Sequence, residues 1–290
     1  MLLNHLVDVF NDAFEHEHDF SHRPFILKEN RVNGLFGPIR IGSVFSAIRQ
    51  SAKPTRIIGH AAQIEVAANT NNYVDEDEIA SLLANRETYH SNLESIITFD
   101  RLSRTVHVLN YLALLSVDQL LFLEVDPRHI LGIKKDHGVY FQDFIAKIGL
   151  ETKNVVVVLT VYSQYARHYQ ELLAGLENYR RQGYQIALKF DNLPNDKALA
   201  DLIAQLSPQY IFVSARVLEQ LPDAIIENTL SKLMTSFGLA KSQTILQHID
   251  DKKTDFLARH SGFDYVEGSY YRVIPLDYSR KPENPVVSHV

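Results

Sequence analysis

The stretch SQYARHYQELLAGLENYRRQGYQIALKFDN, residues 163–192, decides the fold. Tyr165, Tyr169, Leu172, Leu173 and Leu176 recur at helical spacing, with Ser163 placed to cap the helix and Arg180 and Arg181 in its last turn. Gly183 falls where a left-handed residue closes such a helix. The residues that follow, YQIALKF, are short and apolar enough for a strand buried on both faces. Upstream, NVVVVLTV (154–161) carries four consecutive valines, whose β-branched side chains suit another such strand. Strand, helix and strand in that order predict a parallel sheet with the crossover helix packed on it.

The bulk properties fit that reading. A chain of 290 residues, 46% of them hydrophobic, can bury the core of one large α/β domain or two small ones. The net charge of −6 supplies no global basic field and argues against nucleic acid as a partner. The chain has no cysteine, which removes disulfides, thiolate catalysis and thiolate metal sites and fits a reducing compartment. The opening MLLNHLVDVFNDAFEHEHD has acids and no basic region, and the runs LALL and VVVVL fall far short of the roughly 20 apolar residues of a membrane-spanning helix. A soluble, cytoplasmic protein with no membrane contact is expected.

In chain order, Leu3, Leu6, Val7, Phe10 and Phe14 predict an amphipathic helix from residue 2 to about 15. Its apolar stripe must pack on something, and both its own barrel and a homodimer or partner interface are open. HEHDFSH carries His16, His18 and His22, but no second ligand cluster stands at a fixed spacing, so the segment reads as an acidic linker. LFGPIRI (35–41) and RIIGHAAQIEVA (56–67) read as strands joined by a short connection, as antiparallel neighbours are. Asp75 opens a helical pattern, and Leu102, Val106, Leu109, Leu112 and Ala113 mark a second helix. Strands are then expected at 119–125, 155–161, 185–190, 210–213, 244–249 and 265–267. Helices are expected near 139–148, 163–182, 195–206, 216–237 and 253–261, several closed by Gly149, Gly183, Gly238 and Gly262. Eight strands with interleaved helices over this length have the cadence of a (β/α)8 barrel whose first strand is antiparallel, although an open doubly wound sheet satisfies the same periodicity. Residues 1–30 are read as helix and linker, 31–278 as the barrel and 279–290 as a polar tail.

The ordered landmarks FGPI (36–39), GHAAQIE (59–65), LEVDPRHI (123–130), VVLTV (157–161), GYQIALKFDN (183–192), YIFVS (210–214), the segment from Ile245 to Tyr271 and Pro275–Leu276 resemble the EAL domain family. That family contains cyclic di-GMP phosphodiesterases built on a (β/α)8 barrel with an antiparallel first strand. Their two divalent cations are held by oxygen ligands at the strand ends and activate water against a phosphodiester. The resemblance implies the following positions. Where the family has GYEALxR, Ala61 replaces the metal-binding glutamate, Gln63 the leucine and Glu65 the arginine that contacts the dinucleotide. Glu124 stands for the ligand asparagine of NxS and Asp126 for its serine. Val158 and Val161 stand for the two glutamates of ExTE, and Lys189 and Phe190 for the aspartate pair of DDFG, followed by Asp191 and Asn192. Phe212 and Ser214 replace the lysine and aspartate of KxD, Gln247 and Asp250 the glutamates of EGVE, and Glu267 the glutamine of QG.

Hard cations cannot exchange carboxylates for alanine, valine or phenylalanine side chains, and Lys189 brings a positive charge to the same place. No metal and no cofactor are therefore expected. The reading is a catalytically inactive EAL-like domain that regulates through contact with a protein partner, with a homodimer open. The alternative is a receptor that binds cyclic di-GMP without cutting it, through Arg40, Arg128 and Lys189, against the repulsion of Glu65. Lys189 is also placed to neutralise Glu124 or Asp191, Phe190 and Phe212 to fill space that polar groups once held, and Tyr270 and Tyr271 to pack in core and rim.

Overall fold

The computed structural model describes residues 2–18, 23–37, 39–68, 93–114, 119–133, 138–190 and 197–272. Its strands are β1 Phe25–Lys28, β2 Arg31–Phe36, β3 Ile39–Gln50, β4 Lys53–Ala68, β5 Leu120–Val125, β6 Val155–Val161, β7 Gln185–Phe190, β8 Tyr210–Ser214, β9 Gln243–Gln247 and β10 Tyr265–Val266. The helices are α1 Leu2–His18, α2 Leu93–Tyr111, α3 Pro127–Gly132, α4 Val139–Lys147, α5 Tyr169–Arg181, α6 Lys197–Leu206, α7 Ala215–Leu218, α8 Asp223–Leu239 and α9 Lys252–His260. Strands β4 to β10 pair in parallel with their sequence neighbours, and β3 runs antiparallel between β4 and β10. The sheet is thus a closed eight-stranded barrel, and the open doubly wound alternative is set aside.

The alternation along each strand separates two cores. Ile48, Phe122, Val156, Val158, Ala187, Tyr210, Phe212 and Ile245 fill the barrel interior. Val155, Val157, Leu159, Ile186, Leu188 and Ile211 face the helices in the outer layer. The valine run is buried along its whole length because it serves both cores. Gly183 has φ +90°, the left-handed geometry that turns α5 directly into β7. At Gly59 an added Cβ would meet the Leu120 carbonyl oxygen at 2.3 Å, so the absence of a side chain lets β4 close on β5.

The amphipathic N-terminal helix forms as expected and runs on to His18, and its stripe is covered by this chain. Leu6, Val7, Phe10 and Phe14 are buried in the outer core, with Phe10 3.9 Å from the Phe144 ring of α4 and Phe14 edge-on to Phe25 of β1. Asn11 donates to the Phe25 carbonyl at 2.9 Å and accepts from the Phe25 N–H at 2.8 Å. The stripe is therefore an intramolecular contact.

Several local expectations are corrected. LFGPIRI is not one strand: β2 ends at Phe36, Gly37 turns with φ +55°, and β3 starts at Ile39. The part of β3 that closes the barrel is Arg49–Gln50 against β10, well downstream of the FGPI landmark. Ser163 opens a short 3₁₀ turn, Ser163–His168, without capping it, and α5 begins only at Tyr169. The helix expected at 216–237 is two helices, α7 and α8, separated around Pro222, which flanks α8 as its N-cap residue. Gly238 lies inside α8, and Lys241 takes the left-handed position instead, with φ +57°. The helical pattern from Asp75, Pro275–Leu276 and the tail at 279–290 lie outside the described residues.

One tie above the barrel was invisible in the pattern. The pairing of β2 with β3 runs from Gly34–Ile41 to Phe36–Ile39, and Val32 lies outside it, its N–H donating to Asn110 at 2.8 Å and its carbonyl accepting from Asn110 at 2.8 Å. Asn110 also donates to Ser43 Oγ, which lies 2.8 Å from His107 Nδ1. Because Val32 is fully buried, removing the amide strands two backbone groups away from water. Asn110→Ala should lower the unfolding free energy by about 2–6 kcal/mol in urea titrations, at roughly 1–3 kcal/mol per stranded group. Asn110→Asp should lose stability too, because it keeps the acceptor and loses the donor.

Candidate functional site

Strand alternation decides what lines the mouth at the C-terminal ends of the parallel strands. Above the plug made by Phe122, Val158, Ala187, Phe212 and Ile245, the next residues with the same inward parity are Glu124, Thr160, Lys189, Ser214 and Gln247. Gln63 on β4 and Glu267 just past β10 complete the ring. Thr160 donates to Glu124 Oε1 at 2.6 Å, and Lys189 Nζ lies 3.7 Å from Glu124 Oε2. The ion pair expected for Lys189 is therefore made with Glu124. With the two side chains 24% and 31% exposed, it is worth on the order of 1 kcal/mol.

Glu267 is buried, and Gln63 Nε2 approaches it at 3.5 Å. Burial pushes its carboxyl upward, while Lys189 and a hydrogen bond from Ser46 pull it back. Beside it, Gln247 is buried with its Nε2 unpartnered among the described residues. His248 follows with φ +62°, a left-handed backbone that is uncommon for histidine, and its Nδ1 lies 2.9 Å from Ser214 Oγ. Burial, then the charges of Arg216 and Lys189, lower the His248 imidazole to about 4, against the opposing pull of Asp250.

The remaining sequence candidates divide between rim and scaffold. Ala61 is half-buried against the inner plug. Asp126 caps α3, accepting from the Arg128 N–H at 2.8 Å and from its guanidinium at 2.8 and 3.0 Å. Arg128 is buried in that pair and does not reach out for a phosphate. Asp250 accepts from Ser269 at 2.6 Å, with Arg216 3.9 Å away at the surface. Phe212 fills the interior as expected, edge-on to Phe122, but Phe190 faces the helix layer and does not fill the site. Val161 also faces outward. Tyr271 is buried with its hydroxyl donating to Asp255, and Tyr270 packs beside it. Arg40 and Glu65 lie higher, on the extension of β3 and β4 beyond the barrel. Asp191 and Asn192 lie outside the described residues.

A polar cluster behind the rim escaped the sequence reading. Asp100 on α2 is buried, with Arg104 Nη2 at 2.6 Å, His129 Nδ1 at 2.9 Å and the Asp126 N–H donating at 3.0 Å. Burial alone would raise the Asp100 carboxyl, but Arg104, His129 and the Asp126 N–H together hold it well below the usual carboxylate range. Arg104 also lies 4.9 Å over the Phe141 ring. The cluster fixes the end of β5 from behind. Only the helical spacing of Asp100 and Arg104 signalled it; Thr160 could have been picked out as the lone hydroxyl in an apolar strand.

No protein-family model matches the chain. No curated protein matches it either. Solved structures do match. One is the YkuI protein of Bacillus subtilis, with an EAL domain, in complex with substrate cyclic di-GMP and calcium, at TM-score 0.61 and 19% identity. The fold is EAL-like. BlrP1 of Klebsiella pneumoniae, in a manganese and cyclic di-GMP complex, aligns at TM-score 0.61 and 16% identity. The alignments cover 83% and 81% of this chain but only 57% and 56% of those two. The FimX EAL domain of Pseudomonas aeruginosa, bound to cyclic di-GMP, aligns at TM-score 0.62 and 12% identity over 80% of this chain and 89% of that domain.

A pair of divalent cations would make demands on the EAL-like mouth that its side chains do not meet. Hard dications need several oxygen ligands each, and the inward ring offers two carboxylates, Glu124 and Glu267, with an ammonium on the first. Among the described residues, no three His, Cys, Asp or Glu side chains lie close enough to hold a metal. At about 4 Å and an effective dielectric of ~20, an ammonium repels a dication by roughly 8 kcal/mol. The ring does not fit two metals. Likewise, no helix among the described residues is long and apolar enough to cross a membrane.

The ionisation of His248 gives a direct check on the mouth. Its ring resonances should titrate near pH 4 by NMR, and Arg216→Ala should move the midpoint upward. The folded ring stays neutral while the unfolded one takes a proton near 6.5, so the stability it contributes is present above pH 6.5 and is lost as pH falls toward 4.

Proposed function

We propose that this chain is an EAL-like barrel that does not hydrolyse cyclic di-GMP and acts as a regulatory module through contact with another protein. The observation that carries the reading is the Lys189–Glu124 pair above the Phe122–Phe212 plug, where the resemblance implies a metal-site aspartate at Lys189 and a ligand asparagine at Glu124. An ammonium and packed rings stabilise the barrel without leaving a place for two dications. Ala61 and Gln247 extend the same pattern, because each stands where the family has a glutamate. The interacting surface is then the barrel's exterior or its rim, with the former site serving as structural filling.

Purified protein incubated with cyclic di-GMP and Mg²⁺ or Mn²⁺ should yield no linear dinucleotide by chromatography beyond a Glu124→Gln, Glu267→Gln control. Product formation above that control would overturn the reading.

A second reading, a non-hydrolytic receptor for cyclic di-GMP, is favoured by the solved neighbours that hold this ligand. Its cations would be Arg40 and Lys189, since Arg128 is bound to Asp126. Calorimetric titration to high micromolar cyclic di-GMP separates the two readings. Heat and a raised melting temperature that vanish in Lys189→Met support the receptor, and a flat titration with an unchanged melting temperature removes it.

A further inference from the structure

Above the barrel, β1 and β2 add to the upper half of β3, which remains paired with β4, so that four antiparallel strands stand over the mouth as a ribbon. One face of the ribbon is packed: Phe25, Val32, Ile39 and Ile41 belong to the outer core, with Ile64 and Val66 half-buried against it. Strand alternation puts their neighbours on the opposite face, where Ile26, Lys28, Arg31 and Val44 are exposed and Arg40 is partly so. Lys28 lies beside Arg31, Leu35 beside Arg40, and Val44 beside Gln63.

Two properties single this face out. Ile26 and Val44, at 38% and 41% exposure, are two of the six large apolar side chains left exposed among the described residues. Three cations also gather here against Glu65 on the face and Glu29 in the β1–β2 turn, in a chain whose net charge is −6. A locally basic sheet face with aliphatic side chains complements a segment that carries both carboxylates and aliphatic groups. A polyanion such as nucleic acid matches the cations alone; it gains nothing from Ile26 and Val44 and is repelled by the rest of the chain.

We propose that the open face of the β1–β4 ribbon, centred on Arg31, Arg40 and Val44, is the docking surface for an acidic, aliphatic segment of a partner protein. The assignment rests on the protein-contact reading above and gives it a location and a partner chemistry. Ser46, the next inward residue below Val44, hydrogen-bonds Glu267, so the face runs down to the mouth.

The full chain is the bait for a phage-displayed library of random 16-residue peptides, and enriched peptides are then measured by fluorescence anisotropy. Expected binders are rich in Asp or Glu together with Leu, Ile or Val, and bind more weakly as salt rises. They should lose at least tenfold in affinity toward Lys28→Glu/Arg31→Glu/Arg40→Glu and toward Val44→Asp. Lys232→Glu, on the exposed side of α8, should leave binding unchanged. If the triple variant melts early, the single variants Arg31→Glu and Val44→Asp carry the comparison. Failure to enrich any peptide, or enrichment of peptides without acids, overturns the proposal. So does stronger binding of a single-stranded 20-mer oligonucleotide that the ribbon variants abolish. Peptides that bind but ignore the ribbon variants overturn this location while the protein-contact reading stands; that reading fails separately, on turnover of cyclic di-GMP.

Discussion

Closure of the sheet is the constraint on which the rest depends. Once β3 joins β4 to β10, every second residue of eight strands is driven toward a common axis where there is no room for water and little for error. The interior must be filled, and here it is filled by rings and branched aliphatics: Phe122 edge-on to both Tyr210 and Phe212, with Val156, Val158 and Ile245 between them. The same rule that fills the lower layer delivers Glu124, Thr160, Lys189, Ser214 and Gln247 to the mouth. The polar ring is thus a consequence of register, and its composition separates this barrel from a metal-holding one. The Glu124 carboxylate already accepts from a hydroxyl and has its charge opposed by an ammonium.

Much of this was legible in the sequence because strands and helices declare themselves by period. The strands at 155–161 and 185–190 and the glycine turn between α5 and β7 follow from local composition, since valine runs and left-handed glycines have few other uses. Inward-facing Lys189 and Glu124 follow from their places in the strands. The errors have physical causes as well. LFGPIRI reads as a strand because its apolar residues are continuous, yet Gly37 turns the chain in the middle. Phe190 was placed in the site by alignment of a motif, whereas the pleat sends adjacent residues to opposite faces, so Lys189 and Phe190 cannot share it. Ser163 had the right chemistry for a cap, but the chain passes first through a 3₁₀ turn.

What sequence could not disclose is the set of contacts made across long separations. Asp100, Arg104, His129 and the Asp126 backbone come from two helices and the end of a strand, and apart from the one-turn spacing of Asp100 and Arg104 nothing along the chain couples them. Their joint burial is tolerable because the Asp100 and Arg104 charges lie against each other, which ties the position of the β5 rim to the packing of α2. The N-terminal helix teaches the same lesson. Its apolar stripe is equally suited to a neighbour molecule or to its own barrel, and only the rings of Phe144 and Phe25 decide the matter.

The two asparagines that grip the ribbon have a consequence for how this molecule can associate. Asn11 presents its side-chain amide to the Phe25 backbone as a further strand would, and Asn110 does the same for Val32. Each acts as a one-residue surrogate peptide that terminates sheet growth at its position. At these two positions the strand margin resists sideways accretion into a continuous sheet between molecules, the usual hazard of an uncovered strand. Where the margin is stoppered, contact with a neighbour is left to side chains, whose specificity is written by charge and shape and not by the indiscriminate chemistry of the main chain.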